Sequence, residues 1–356
     1  MKTVYLPSFT MGENAIMSIK DFFNIADKVA ILYGNKAYKA SKEYINQAIN
    51  EAKLEVIVCE NYGSDATYEN VDRICNIDGI SQIKALIAVG GGKCIDTVKV
   101  VGDILNKPVY SIPTIASTCA AVTKISIMYY ENGAFKDVFN LKKPPVHTFI
   151  EPRIINMAPI KYLWAGIGDT MAKHVESTFS ARNDVLDYAS ELGIKIGENC
   201  FYPMIRDGKS ALNAAKEGCL NDELNRVIQN IIITTGSVSL LVNPNYNSAL
   251  AHALYYGLTI RKVIEKNHLH GEVVSYGTLV QLMMDNQKDM LKKTYKFHKD
   301  VGLPTKLIDL EIDIDSNVDD ILQETIINKE LVHVPYPVTK ELVYQAMKKL
   351  EEYEGE

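Results

Sequence analysis

The sequence predicts an α/β N-terminal domain with a parallel sheet, followed by an all-helical C-terminal domain, and three observations carry that expectation. Over the first third of the chain, short apolar runs rich in branched residues alternate with stretches of helical period. After Pro144 and Pro145 and one more short apolar run, HTFIEP, the character changes, and from Ala158 onward nearly every segment has the helical period. At 356 residues the chain is also too long for one comfortable core. The division expected is an α/β domain over 1–157 and a helical domain over 158–356.

The elements justify themselves in order. KVAILYG begins at Lys28 and stops at Gly34, and a helix pattern follows with Ala40, Tyr44, Ile45 and Ala48 on one face. LEVIVCE at 54–60, IKALIAVGGGK at 83–93 and PVYSIPT at 108–114 repeat the theme, with helices expected near 69–77 and 95–105. Strands buried on both faces and separated by helices imply parallel pairing through right-handed crossovers. In the second half, helices are expected at 186–200, 224–233, 248–258, 277–284 and 340–353, punctuated by turn signals such as NPN.

Composition narrows the function. With 47% apolar and 23% charged residues the chain should fold throughout. The net charge of −6 and the scattered lysines offer phosphate backbones no basic stripe, so nucleic acid is not an expected partner. No stretch approaches about 18 uninterrupted apolar residues and the N-terminus lacks a leader pattern, so neither secretion nor a membrane partner is expected. Six cysteines stand far apart without a C-x-x-C pair, which fits a reducing cytoplasm.

Two loops in the first half could hold a phosphate. In AVGGGKCIDTVK a strand stops at Val89, Gly90, Gly91 and Gly92 make the turn, and a helix opens with its unpaired amides facing the loop. The spacing matches neither the P-loop nor the G-x-G-x-x-G fingerprint, and a plain glycine turn would read the same. PTIASTCA, after the next strand, brings the hydroxyls of Thr114, Ser117 and Thr118 to the same carboxyl edge, where open α/β sheets bind ligands. In the second half, Asp169, His252 and His270 are candidate metal ligands: one carboxylate and two imidazoles suit Zn²⁺ or Fe²⁺ with positions left for a substrate oxygen. His268, His174 and His147 are competing donors among which the residues alone do not choose.

In order along nearly the whole chain, GGGKCIDTVK, PTIASTCA, GIGDTMAK, AHALYYGLT and HLHGEVVSYGTLVQL resemble the signatures of the iron-containing (group III, metal-dependent) alcohol dehydrogenases, in their glycerol dehydrogenase-like branch. The resemblance implies a dehydroquinate synthase-like or glycerol dehydrogenase-like fold, and hydride transfer between a nicotinamide and a carbonyl carbon. Carried over, Gly91, Gly92, Lys93 and Asp96 would line the pyrophosphate and ribose. Thr114, Ser117, Thr123, Ile125 and Tyr129 would surround the stretch towards the nicotinamide, with core packing as the alternative for Ile125 and Tyr129. Asp169, His252 and His270 would bind the metal.

Three departures shape the expected chemistry. Lys173 stands four residues after Asp169, where long-chain members place a fourth ligand, and the three-ligand pattern of glycerol dehydrogenases favours zinc over iron. Cys119 replaces the aspartate of their S-T-D motif. Gly34, with Lys36 close behind, stands where an acid would hold the adenosine ribose, which places NADP ahead of NAD as cofactor. S-T-C-A, E-P-x-I-I at 151–155 and P-V-T at 337–339 resemble the hydroxycarboxylate dehydrogenases. Losing a carboxylate at Cys119 and gaining an ammonium at Lys173 suits an anionic substrate. The expectation is therefore reduction of a 2-oxo acid to a 2-hydroxy acid by a homo-oligomer, with Lys173 and Cys119 on the substrate side. Glycerol dehydrogenase is the alternative, and a dehydroquinate synthase-like lyase a remote one.

Overall fold

The computed structural model describes residues 3–355 and divides them into two compact units, 3–159 with Gly218–Leu220, and Ile160–Glu217 with 221–355. In the first, β1 (Phe9–Met11) precedes β2 (Lys28–Tyr33), α1 (Asn35–Glu51), β3 (Glu55–Asn61) and α2 (Tyr68–Cys75). Next come β4 (Ala85–Gly90), α3 (Gly92–Leu105), β5 (Val109–Pro113), the pair β6 (Ile125–Tyr129) and β7 (Phe135–Asn140), β8 (His147–Ile150) and α4 (Pro152–Asn156). Six strands form one parallel sheet in the order β1-β8-β5-β4-β2-β3, and β6 and β7 form an antiparallel ribbon.

Three of the four apolar runs, β2, β4 and β5, lie inside the sheet, and the fourth, β3, is its edge strand and largely exposed. Every residue of β4 and β5 is buried, because helices cover both faces of a parallel sheet. Ile31, Ile45, Ile87, Ile112 and Phe149 meet in one of its core layers. The chain leaves β2 towards β3 on one side and returns to β4 on the other, so the order reverses between β2 and β4. That switch point lies at Gly34 and Gly90, where the Gly34 amide donates to the Val89 carbonyl over 3.1 Å.

The second unit is helical among its described residues: α5 (Lys161–Ser180), α6 (Tyr188–Gly197), α7 (Tyr202–Lys216), α8 (Asp222–Gln229), α9 (Thr235–Leu241), α10 (Leu250–Leu258), α11 (Lys262–Asn267), α12 (His270–Met284), α13 (Lys288–Val301), α14 (Asp319–Ile326) and α15 (Lys340–Glu352). A π-helical turn, Asn230–Thr234, joins α8 to α9. The bundle is organised on α5 and α12, both largely buried and packed along each other. Two glycines allow their approach. A Cβ on Gly168 would come 2.7 Å from the Gly271 carbonyl oxygen, and one on Gly271 would run into the carbonyl oxygen of Ala165. None of the described helices is long and apolar enough to cross a membrane.

Candidate metal centre and nucleotide loops

Three helices that are distant in sequence bring three ligand-type side chains together. Asp169 sits at mid-length on α5, His252 in the first turn of α10, and His270 opens α12. One ligand atom from each can be chosen so that all lie within 4.8 Å of one another. Asp169 Oδ1 is 3.6 Å from His252 Nε2 and 3.3 Å from His270 Nε2, and it is a buried oxygen with no hydrogen-bond partner. A buried carboxylate oxygen without a donor is costly unless something cationic completes it. The oxygen and the two imidazole nitrogens facing it are the donors a divalent ion takes, so the residues fit a metal. Burial pushes the Asp169 carboxyl up, but the two imidazoles outweigh it and hold the group well below the usual carboxylate range.

The N-terminus of α10 is built to hold His252 still. The residue before this helix is Ala249, which offers no capping side chain, so the first amides need partners from elsewhere. Glu176 supplies them from α5: its Oε1 accepts from the N–H of Ala249 at 2.8 Å and of His252 at 2.9 Å. Gln281 on α12 takes a third, the Ala251 N–H, at 3.2 Å. The other Glu176 oxygen lies 2.6 Å from His252 Nδ1. Burial raises the Glu176 carboxyl, and the His252 ring with these amides brings it below its ordinary value. Desolvation would lower His252, yet Glu176 first and then Asp169 push it up to about 10. The His270 ring is braced edge-on by Tyr255, with centroids 4.4 Å apart.

The competing histidines are engaged elsewhere. His268 Nδ1 lies 2.9 Å from Glu272, and its Nε2 lies 3.3 Å from Glu311. His147 bonds Ser8 and Thr10 through its two nitrogens, and His174 packs against Phe201. Lys173, one turn beyond Asp169, donates to the Asn247 carbonyl at 2.5 Å, so its ammonium anchors the segment that enters α10. Sequence reading did not single out Glu176. The signal was its spacing, seven residues after Asp169 and therefore on the same helix face, at the end of the segment GIGDTMAKHVE.

In the first unit, the glycine turn and the hydroxyl loop stand side by side at the sheet's carboxyl edge. The Thr114 amide donates to the Gly90 carbonyl at 3.0 Å. No side chain caps α3, so its first-turn amides face the loop end. A Cβ at Gly91 would stand 2.7 Å from Ile115 Cδ1, and one at Gly92 would stand 3.3 Å from Thr118 Oγ1. These two glycines therefore let the turn and the hydroxyl loop approach closely, and a glycine turn that opens a helix is of the kind that receives a pyrophosphate.

The polar candidates here divide. Thr114 and Thr123 are buried, while Ser117, Ile125 and Tyr129 are half-buried. Lys93 is exposed, 2.5 Å from Asp65 and 4.6 Å from the Tyr129 ring centre. Asp96 instead turns inward: it pairs with the fully buried Lys99 at 2.8 Å and accepts the Ile127 N–H at 3.2 Å. Lys99 donates in turn to the carbonyls of Ala120 at 2.9 Å and Ile125 at 2.5 Å, fixing the loop that carries Thr118 and Cys119. Gly34 caps α1 and Lys36 is exposed in its first turn.

Comparison with known proteins places this architecture. The family model described as iron-containing alcohol dehydrogenase matches residues 7–152. Hydroxycarboxylate dehydrogenase A of Escherichia coli is 30% identical over 343 residues, covering 95% of this chain and 93% of that protein. The chain belongs to the iron-containing alcohol dehydrogenase family. As a member of that family it is an oxidoreductase. Another relative in the family is the glycerol dehydrogenase of Thermotoga maritima, 26% identical over 366 residues and covering 99% of this chain and 97% of its own. The crystal structure of a probable glycerol dehydrogenase from Sinorhizobium meliloti has the same fold, with a TM-score of 0.86 at 24% identity over 99% of this chain and 98% of that one.

Proposed function

We propose that this protein is an NAD(P)-linked, divalent-metal dehydrogenase that moves a hydride between the nicotinamide and a small oxygenated carbon, with a vicinal polyol of the glycerol type as its substrate class. The observation that carries the metal chemistry is the partnerless Asp169 oxygen facing two imidazole nitrogens. Asp169, His252 and His270 would hold the ion, zinc ahead of iron. Such an ion, when bound, would supply Lewis-acid chemistry at a carbonyl oxygen, and a reduced nicotinamide would be the hydride donor. The chain's own residues do the rest. Glu176 and Gln281 fix the start of α10, and Tyr255 sets the His270 ring. The turn at Gly91 and Gly92 and the open end of α3 would receive the pyrophosphate, with the Thr114 and Ser117 hydroxyls beside them.

The polyol class is supported by the several glycerol dehydrogenases among the relatives and by the position of Lys173. An ammonium already held by the Asn247 carbonyl is a weaker partner for a substrate carboxylate than a free one. A 2-hydroxy acid is the second reading, supported by the relative from Escherichia coli and by Cys119 in place of an aspartate. NADP is proposed as at least the equal of NAD, because no acid follows β2.

Metal content measured on purified protein, followed by rates on glycerol, dihydroxyacetone, 2-oxo acids and aldehydes with NADH and NADPH and with added Zn²⁺, tests all three statements. One divalent ion per chain with glycerol or dihydroxyacetone turnover is expected. Turnover of 2-oxo acids alone would move the substrate to the second reading, and full activity without metal would end the metal reading.

A further inference from the structure

Glu176 makes three contacts with one short stretch of backbone and ring, and together they constrain where protons can sit. The side chain is wholly buried, with Oε2 at 2.6 Å from His252 Nδ1 and Oε1 taking the N–H groups of Ala249 and His252. An ionised carboxylate only accepts hydrogen bonds. Nδ1 of His252 must therefore carry a proton, and Nε2, the nitrogen facing Asp169 Oδ1, keeps its lone pair whenever the ring is neutral. We propose that Glu176 sets the tautomer and the ring orientation of His252, and so acts as a positioning residue for the divalent ion. This rests on the metal reading above and deepens it.

The geometry suits a carboxylate better than a neutral polar side chain of the same size. Glutamine in this pose would keep its single carbonyl oxygen on the two α10 amides and turn its NH₂ towards Nδ1. Two N–H groups would then face each other, and relief comes from moving the ring proton to Nε2, the nitrogen the ion requires. Flipping the amide restores the ring contact but sets the NH₂ against the N–H groups of Ala249 and His252. Neither arrangement satisfies both ends, whereas the carboxylate satisfies both. The geometry of α5 makes this compact, since Asp169 and Glu176 lie two turns apart on one face. One helix thereby supplies a ligand and also orients the next ligand.

The test is a titration of metal-stripped wild type and Glu176→Gln with Zn²⁺ against a competing chelator, alongside circular dichroism and melting of both metal-free forms. The expected result is one zinc per chain for both, bound about 10 to 100-fold more weakly by the variant, the usual cost of losing such an outer partner. Metal-free circular dichroism should be unchanged. Activity missing at limiting zinc should return at saturating zinc, which a damaged fold would not allow. Wild-type affinity in Glu176→Gln would overturn the inference and leave the metal reading intact, whereas a wild type that binds no divalent ion would overturn both. Should the variant fail to fold, histidine ¹⁵N spectra of zinc-loaded wild type carry the test. A slowly exchanging, hydrogen-bonded proton on His252 Nδ1 is expected, and a freely exchanging one would overturn the inference.

Discussion

The two candidate sites are made of different material. In the first unit the features that would meet a nucleotide are mostly backbone: Gly90, Gly91 and Gly92 where β4 ends and α3 begins, the open amides of α3, and a loop held by main-chain bonds and by Lys99. In the second unit they are side chains, one carboxylate and two imidazoles delivered by α5, α10 and α12 and steadied by Glu176. A backbone site tolerates exchange of most side chains around it but depends on what keeps the loop in shape. A side-chain site fails when any one donor is lost.

The largest expected effect follows directly. Asp169→Ala or His252→Ala should abolish metal binding and lower turnover by about 10³-fold or more, the scale of removing a group that stabilises charge at the reacting oxygen. Elemental analysis and steady-state rates measure it. A metal-free His252→Ala protein with full activity would dissolve the contrast between the two units.

On the backbone side, the sharpest change is to the support and not to the site. Lys99 is 2% exposed, pairs with Asp96, and donates to the carbonyls of Ala120 and Ile125. Lys99→Met leaves the Asp96 carboxylate buried without its cation, a defect of about 3 to 5 kcal/mol in comparable pairs. Denaturant unfolding should show that loss. Adding Asp96→Asn should recover part of it, since the stranded charge is then gone. An unchanged midpoint in Lys99→Met would mean the pair contributes nothing to the loop.

The same difference governs what the sequence disclosed. The β4 turn was readable because an apolar run, three glycines and a helix pattern are adjacent in the chain. The strands β2, β3, β4 and β5 announced themselves by continuous apolar residues. In contrast, β1 has three residues and β7 reads FKDVFN, too short or too polar to register as strands. Asp169, His252 and His270 could be chosen over His268, His174 and His147 only through family resemblance, because their convergence depends on how α5, α10 and α12 pack. Glu176 was out of reach for the same reason: its partners are amides on a helix more than seventy residues away. Asp96 shows how a motif position acquires its surroundings only in the fold. It lies in the glycine-loop motif, but its carboxylate turns inward to Lys99.

Packing of α12 on α5 gives an intermediate effect that tests whether the metal centre depends on that approach. Gly271 follows His270 directly, and a methyl group there would collide with the Ala165 carbonyl. Gly271→Ala should force the helices apart at about 1 to 3 kcal/mol, as overpacking generally does, and should weaken zinc binding by displacing His270 from Asp169. Calorimetry and zinc titration read the two effects separately. Lost stability with unchanged zinc affinity would show that the centre tolerates movement between these helices.

The smallest effect expected is a change of cofactor preference by one carboxylate at the backbone site. Gly34 adopts φ −86° and ψ 137°, open to any residue, and a Cβ there would meet Tyr62 at 3.6 Å and Ala37 at 3.8 Å, both ordinary contacts. Aspartate is moreover a favoured residue at a helix N-cap, so Gly34→Asp should fold at least as well as wild type. Its charge would stand at the β2 to α1 turn, beside the point where the strand order reverses and where such sheets bind a nucleotide. The 2′-phosphate of NADPH would meet that charge and the 2′-hydroxyl of NADH would not. A repulsion of about 1.4 kcal/mol is a tenfold change in affinity, so the NADPH dissociation constant should rise by about tenfold while that for NADH holds or improves. Fluorescence titration with both reduced cofactors decides it. A wild-type protein that already prefers NADH strongly would show that something other than position 34 reads the ribose, and equal weakening of both cofactors would place the aspartate against the dinucleotide as a whole.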